Sequence, residues 1–347
     1  MKINILSNKI PWFGKYSGYE CLPYYYSNKK DLLINYPNPT VMNKIIGKIY
    51  QRTTGYYYVS PEEVVSEIKF IKGVAKSAVS HILYLDGHTH LVSKIKRSDK
   101  NLIGTIHRPF SYWNEDELNR LSDVDSVIIL YKEEVKKFGK YISPNNIHVI
   151  KHGVNINFFK PGDIEIINKN KILFVGHYLR NFPMFSKVYK YLCNEFDSLE
   201  YHIIIPEPFR KYHPELEELK ANKNVFFYEK LSDEELLRQY QESFVLLVPM
   251  LDSGVNTAII QALATGLPVL TTDVGGIRSY GGNDIFPVTA DNDYLSMINL
   301  FKKYYSEPGF RQDISAKQRN YALNHLDWHT VAKEHTDLYQ SIRCCSK

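Results

Sequence analysis

The residues best suited to chemistry in this chain of 347 residues lie between Val248 and Gly276, in the stretch VPMLDSGVNTAIIQALATGLPVLTTDVGG. Phe244 to Val248 is a continuous apolar run, the pattern of a parallel strand covered on both faces. Ser253-Gly254 then predicts the opening of a helix, because Ala258, Ile259, Ala262 and Leu263 recur at helical spacing. A helix opened this way aims unpaired backbone N–H groups and the positive end of its dipole above the sheet. The chemistry this favours is capture of an anion, most simply a phosphate. Asp252, Ser253, Gly254, Val255, Asn256, Thr257 and Gln261 supply the side chains and amides for it.

Positioning such groups requires a sheet on either side of that stretch, and the chain alternates strand and helix patterns throughout. Strands are predicted near Ile3–Ser7, Ile82–Leu85, Leu102–Ile106, Val127–Leu130 and His148–Lys151 in the first half. In the second half they fall near Ile172–Val175, His202–Ile205, Val225–Tyr228, Phe244–Val248 and Val269–Thr271. Ser60-Pro61-Glu62-Glu63 starts a helix with a capping residue and a first-turn proline. No internal repeat or low-complexity tract interrupts the pattern. The length predicts two α/β domains of ordinary size, with a boundary near Pro161-Gly162 and a final helix from Trp328 to Arg343.

Gln261-Ala262-Leu263-Ala264-Thr265-Gly266-Leu267-Pro268-Val269 resembles the donor-binding core of retaining glycosyltransferases of family 4, the glycosyl transferases group 1, which have the GT-B architecture. The family pattern has two carboxylates with seven residues between them. Here those positions hold Ser253 and Gln261, with Asp252 one place earlier. A glutamine can still hydrogen-bond a ribose hydroxyl, whereas Ser253 brings no negative charge. The resemblance implies two Rossmann-like domains whose parallel sheets face each other across a cleft: residues 1–160 for the acceptor and 161–327 for the nucleotide sugar. Residues 328–347 would cross back to the first domain.

The same resemblance orders further motifs. Lys171-Ile-Leu-Phe-Val-Gly176 is similar to the strand that opens the donor domain, and Arg180 and Lys187 after it stand where basic residues neutralise the donor diphosphate. His177 sits where an arginine is more usual. Ile147 to Asn155, followed by Phe158 to Pro161, resembles the interdomain signature. Tyr228, Lys230 and Leu231 resemble the loop against which the base lies, although Ser232 and Glu235 also spell a capping box. His107 ends an apolar strand, as does the family histidine that reaches the transferred sugar. Gly14 to Gly18 matches a glycine-containing loop of the donor site, with Trp12, Tyr16 and Tyr19 around it as expected acceptor contacts. Arg180→Ala is expected to lower turnover in a protein that still folds.

Charge is uneven. Residues 1–160 hold 23 Lys and Arg against 14 Asp and Glu, while residues 161–347 hold 20 against 24. A basic acceptor half predicts an anionic acceptor, such as a lipid-linked glycan at a membrane surface, an acidic polysaccharide or, as the alternative, nucleic acid. A merely solvated lysine-rich surface explains the charge equally well. Tyr24 to Tyr26 and Tyr56 to Tyr58 suit sugar faces or bases as well as packing. No run of eighteen apolar residues is present, no signal-peptide core is expected near the N-terminus, and the four cysteines show neither metal spacing nor a disulfide framework. A cytoplasmic protein is expected, peripheral at the inner membrane face in the alternative. Asp123-Val-Asp125 and Asp291-Asn-Asp293 are metal-type triplets, the second explained by helix capping.

The resemblance implies a metal-independent, retaining hexosyltransferase for surface polysaccharide, using a UDP- or GDP-type donor and no cofactor. It makes His107, Arg180 and Ser253 the expected catalytic residues, with a donor phosphate oxygen assisting deprotonation. A non-hydrolysing nucleotide-sugar epimerase and a catalytically silent sugar-nucleotide or glycan-binding protein are the alternatives.

Overall fold

The computed structural model describes residues 1–11, 13–95 and 101–345, so Trp12 lies outside the described residues. The chain forms two compact units, each with its own parallel sheet. The first comprises Met1–Phe13, Gly18–His152 and His329–Lys347, and the second Gly14–Ser17 and Gly153–Trp328. The expected boundary at Pro161 is thus displaced to Gly153. Contacts explain the shift. A Cβ at Gly153 would lie 2.4 Å from the Trp328 ring, and Arg319 donates to the carbonyls of Ile156 and Phe159.

Unit 1 has six strands: β1 (Ile3–Leu6), β2 (Leu32–Asn35), β3 (Val79–Ile82), β4 (Asn101–Ile106), β5 (Ser126–Ile129) and β6 (Ile147–Val149). Their order is β2-β1-β3-β4-β5-β6, so the order reverses between β1 and β3. Two expectations change here. β2 was not anticipated, because its apolar run from Leu32 to Ile34 is short and the edge strand is half-exposed. β3 lies three residues earlier than expected, with Leu85 already in the turn that follows it.

Two helices precede β3. Helix α1 (Val41–Thr54) is capped by Thr40, and helix α2 (Pro61–Val74) begins with the capping box of Ser60 and Glu63. They cross closely at Gly47, where a Cβ would fall 1.9 Å from the Pro61 carbonyl oxygen.

A polar network runs through the core of unit 1. His81 bonds Tyr339 Oη and Thr105 Oγ1 through its two ring nitrogens (2.6 and 2.7 Å). His335, on the helix Trp328–Cys345, bonds Tyr19 Oη at 2.6 Å and the Val331 carbonyl at 2.8 Å. Burial, with His335 and His107 nearby, pushes His81 well below the ordinary histidine range. Burial pushes His335 down to about 4. Both therefore fold neutral and must be protonated on unfolding in acid. The contribution of His335 is complete above about pH 6.5 and is lost as pH falls towards about 4, an effect of roughly 3 kcal/mol, and His81 acts in the same direction. Urea unfolding is expected to show a markedly lower midpoint near about pH 5 than near about pH 7.5. A flat profile would rule out neutral burial.

Unit 2 has five strands: β7 (Asn168–Val175), β8 (Glu200–Ile204), β9 (Val225–Tyr228), β10 (Ser243–Val248) and β11 (Val269–Thr271). The order is β11-β10-β7-β8-β9, all parallel, and it reverses between β7 and β10. Every residue of β10 is buried, as its unbroken apolar run required.

Candidate functional site

Open parallel sheets bind ligands beyond the carboxyl ends of their strands where the strand order reverses. In unit 2 that point is flanked by residues 176–181 after β7 and residues 249–256 after β10. The two segments are laced together. The Leu251 amide donates to the Leu179 carbonyl at 2.9 Å, and the Asn181 amide donates to that of Pro249 at 2.8 Å. Gly176 has φ +86°, and its missing Cβ leaves room for the Arg180 guanidinium, 2.7 Å from where that atom would stand. Leu179 carries a left-handed φ of 59°. Such strain in a non-glycine residue persists only where the surroundings over-determine it.

Arg180 is the side chain that joins these loops, and its role differs from the expected one. Nε and Nη2 donate to the Val175 carbonyl (3.0 and 2.7 Å), and Nη1 donates to the Tyr178 carbonyl (3.0 Å). Nη2 also reaches Asn256 Oδ1 at 3.2 Å. The residue is buried, and burial lowers its pKa to about 10. The guanidinium is therefore a clamp on the protein's own acceptors, and its alanine variant is not expected to leave the fold untouched. Lys187 is exposed in mid-helix, 5.5 Å from the Tyr294 ring. His177 stacks on Phe209 at 3.6 Å, and burial together with Arg180 and His213 lowers its pKa to about 4.

The helix after β10 starts later than Ser253-Gly254 suggested. It spans Thr257–Thr265, with Asn256 as its cap. Asn256 Oδ1 accepts the amides of Ala258 and Ile259 (3.1 and 3.3 Å), so two of the N–H groups expected to face an anion are already satisfied. Apolar spacing locates a helix but not its first turn, which the short Asn side chain fixes here. Val255 and Thr257 are half-buried around that cap, and Gly254 is buried. Ser253 is also buried. Its amide donates to Asp252 Oδ1 at 2.7 Å, and its carbonyl accepts the Gly276 amide at 2.6 Å.

Gln261 is engaged by the protein's own side chains. Its Oε1 accepts from Tyr240 Oη at 3.0 Å, and its Nε2 donates to Ser17 Oγ at 2.8 Å. Ser17 belongs to the short N-terminal segment that unit 2 includes. In that segment the Lys15 amide donates to Asp233 Oδ2 at 2.9 Å, and Tyr16 stacks on Phe158 at 4.0 Å. Gly14 is held so closely that a Cβ would lie 1.9 Å from Asp233 Oδ1. Tyr228 bonds His202 Nδ1 at 3.0 Å, Leu231 is half-buried, and Lys230 is exposed beside the Ser232–Glu235 capping box.

In unit 1, His107 follows β4 as expected. Its ring nitrogen Nε2 bonds the Leu83 carbonyl at 2.8 Å, and its amide donates to Asp86 Oδ1 at 2.7 Å. The ring stacks on Tyr84, and burial lowers its pKa. Gly18 adopts φ +89° just before Tyr19. Tyr19 itself is fully buried and bonded to His335, which makes it a core residue and not a surface for an acceptor. Of the acidic triplets, Asp293 caps the helix Tyr294–Ser306 and Asp125 accepts the Leu102 amide. Asn181, Tyr240 and Met250 were not foreseen, and Asn256, expected at the donor site, caps the helix instead.

Comparison with known proteins bears on this arrangement. Residues 169–299 match the family described as glycosyl transferases group 1. The chain is 23% identical over 206 residues to the MMP alpha-(1->4)-mannosyltransferase of Mycolicibacterium hassiacum, covering 57% of this chain and 49% of that protein. It is 25% identical over 127 residues to the D-inositol 3-phosphate glycosyltransferase of Corynebacterium urealyticum, covering 36% of this chain and 30% of the relative. The matched stretches thus span half or less of these curated relatives. Over nearly its whole length the chain superposes on HepE of Anabaena in complex with UDP, with a TM-score of 0.73 at 12% identity, covering 98% of this chain and 100% of that one. It also superposes on sucrose-phosphate synthase from Thermosynechococcus elongatus, with a TM-score of 0.77 at 13% identity, covering 99% and 100%. The family match falls on the unit whose loops converge at the β7–β10 reversal, and the likeness to these solved structures shows that the chain carries the GT-B fold.

Proposed function

We propose that this protein is a retaining glycosyltransferase that moves a sugar from a nucleotide sugar to a lipid-linked or other anionic acceptor in surface polysaccharide synthesis, without a catalytic metal. The observation that carries the reading is the laced pair of loops at the strand-order reversal of unit 2, inside the stretch that matches the family. HepE, which shares the fold, is described with UDP and with UDP-glucose, which supports a UDP-type donor. In this reading Gln261 and the amides of Gly254 to Thr257 receive the nucleotide, and His107 serves the sugar. Leaving-group charge is met by preorganised dipoles. A thermal-shift screen against UDP, GDP, ADP, CMP and dTDP tests the donor site. One nucleoside diphosphate should stabilise the protein well above the others, and no response to any of them would remove the proposal.

A second reading is favoured by a specific observation. Both family carboxylate positions are neutral, and Arg180 and Gln261 are engaged with the protein itself. A silent sugar-nucleotide-binding protein would show the same thermal shift with no turnover.

The acceptor's setting is supported by helix α1. Val41, Met42, Ile45, Ile46 and Ile49 are between 44% and 75% exposed. They share one face of the helix, opposite the buried Gly47 and Gln51. Lys44, Lys48 and Arg52 flank the stripe, and α1 contains no acidic residue. An apolar stripe edged by cations fits an anionic bilayer surface. Among the described residues no helix is long and apolar enough to cross a membrane. The protein should co-sediment with vesicles rich in phosphatidylglycerol and not with neutral ones. Replacing Ile45 and Ile49 with Glu should abolish that binding. Equal binding by both proteins, or a parent dimer that hides the stripe, would contradict this assignment.

A further inference from the structure

Beside the strand-order reversal of unit 1 stands a cluster that the proposed reaction does not use. Glu67 comes from α2, and His88 and His90 come from the turn after β3. Asn8 follows β1, so the group gathers at the carboxyl ends of β1 and β3, where an open sheet offers a ligand site. Glu67 and His88 are 1% exposed and His90 is 8% exposed. One ligand atom from each of the three lies within 4.8 Å of the others. His88 Nδ1 stands 2.8 Å from Glu67 Oε1, and His90 Nε2 stands 2.9 Å from the same oxygen.

We propose that Glu67, His88 and His90 bind a single divalent transition-metal ion of the zinc type. Two imidazoles and one carboxylate suit zinc and its neighbours, whereas calcium and magnesium favour oxygen-only sites.

Hydrogen-bond accounting supports an ion. His88 Nε2 lies 2.7 Å from Asn8 Oδ1, an oxygen that can only accept. A neutral imidazole with its proton on Nε2 turns the lone pair of Nδ1 towards a carboxylate oxygen. Two acceptors then confront each other in a buried place unless a cation, either a second ring proton or a metal ion, stands between them. The arrangement around the cluster has the form of a metal's supporting shell. Asn8 fixes the ring of His88, and Tyr56 Oη donates to Glu67 Oε2 at 2.8 Å. Tyr58 stacks on His90 at 4.8 Å.

The ion has a structural consequence. The segment from Leu83 to His90 that carries two of the ligands also holds His107, through the Leu83 carbonyl and the Asp86 carboxylate. Tying that segment to α2 fixes the strand-end histidine from below without taking part in sugar transfer.

The test measures metal directly. Protein stripped with EDTA, dialysed and titrated with zinc chloride should take up one equivalent and rise in melting temperature. The cobalt form should show the absorption bands of a low-symmetry site. His88→Ala and His90→Gln should lose the equivalent, and Asn8→Ala should weaken binding by roughly 10–100-fold. Circular dichroism on each variant separates loss of metal from loss of fold, and the parent's own stoichiometry stands even if a variant fails to fold. No stoichiometric uptake by the parent, or the same uptake by His88→Ala and His90→Gln, would overturn the site. The cluster would then be a hydrogen-bonded network alone.

Discussion

Arg180→Ala should destabilise unit 2 severely and abolish nucleotide binding with it. The guanidinium holds the Val175 and Tyr178 carbonyls and Asn256 Oδ1 in a buried site. Removing it leaves acceptors without donors and opens a cavity beside Gly176. The expected cost is about 3 kcal/mol or more, since each lost charged hydrogen bond contributes roughly 1.5–3 kcal/mol. Arg180→Lys should recover only part of this, because an ammonium cannot span acceptors that a planar fork reaches at once. Urea unfolding followed by fluorescence measures the effect. An alanine variant with parental stability and lost turnover would restore Arg180 as a phosphate ligand and refute the clamp.

Gln261→Glu should tighten nucleotide binding by about tenfold, whereas Gln261→Ala should weaken it by roughly 1–3 kcal/mol. Tyr240 and Ser17 can both turn hydroxyl protons towards a carboxylate, so the substitution keeps the partners seen in the structure. An ionised acceptor then offers a ribose hydroxyl a stronger bond than the neutral amide does. Alanine instead leaves the buried Tyr240 hydroxyl without its acceptor and should also cost stability. Ser17 contributes a hydroxyl where the ribose would, so Ser17→Ala should preserve or improve affinity. Isothermal titration with the nucleotide found by the thermal-shift screen decides among these outcomes. If neither Gln261 variant changes affinity, the ribose does not lie at Gln261.

The strands that position both sheets were legible because burial on two faces leaves a continuous apolar run. Phe244 to Val248 is the clearest case and proved buried, as did Leu102 to Ile106 although Gly104 and Thr105 interrupt its run. β2 escaped notice because a short edge strand with two exposed residues has no such signature. Residue types at the site were legible in order but not in direction. Arg180 reads as a cation near an expected phosphate, yet its target is set by Gly176, whose missing Cβ lets the guanidinium fold back onto β7. Gln261 likewise turns to Tyr240, a partner twenty-one residues away that no local pattern reveals. Helix onset at Thr257 depended on which short polar residue wins the cap. Spacing of apolar residues does not report that competition.

Product analysis after incubation with radiolabelled nucleotide sugars is the decisive measurement for the proposed glycosyltransferase. Sugar transfer to an anionic lipid or glycan acceptor is expected, or slow donor hydrolysis without one, with the anomeric configuration of the donor retained. No added metal should be required. Nucleotide binding without any turnover, across donors and acceptors, would contradict the glycosyltransferase reading and leave a sugar-nucleotide-binding protein on the same fold.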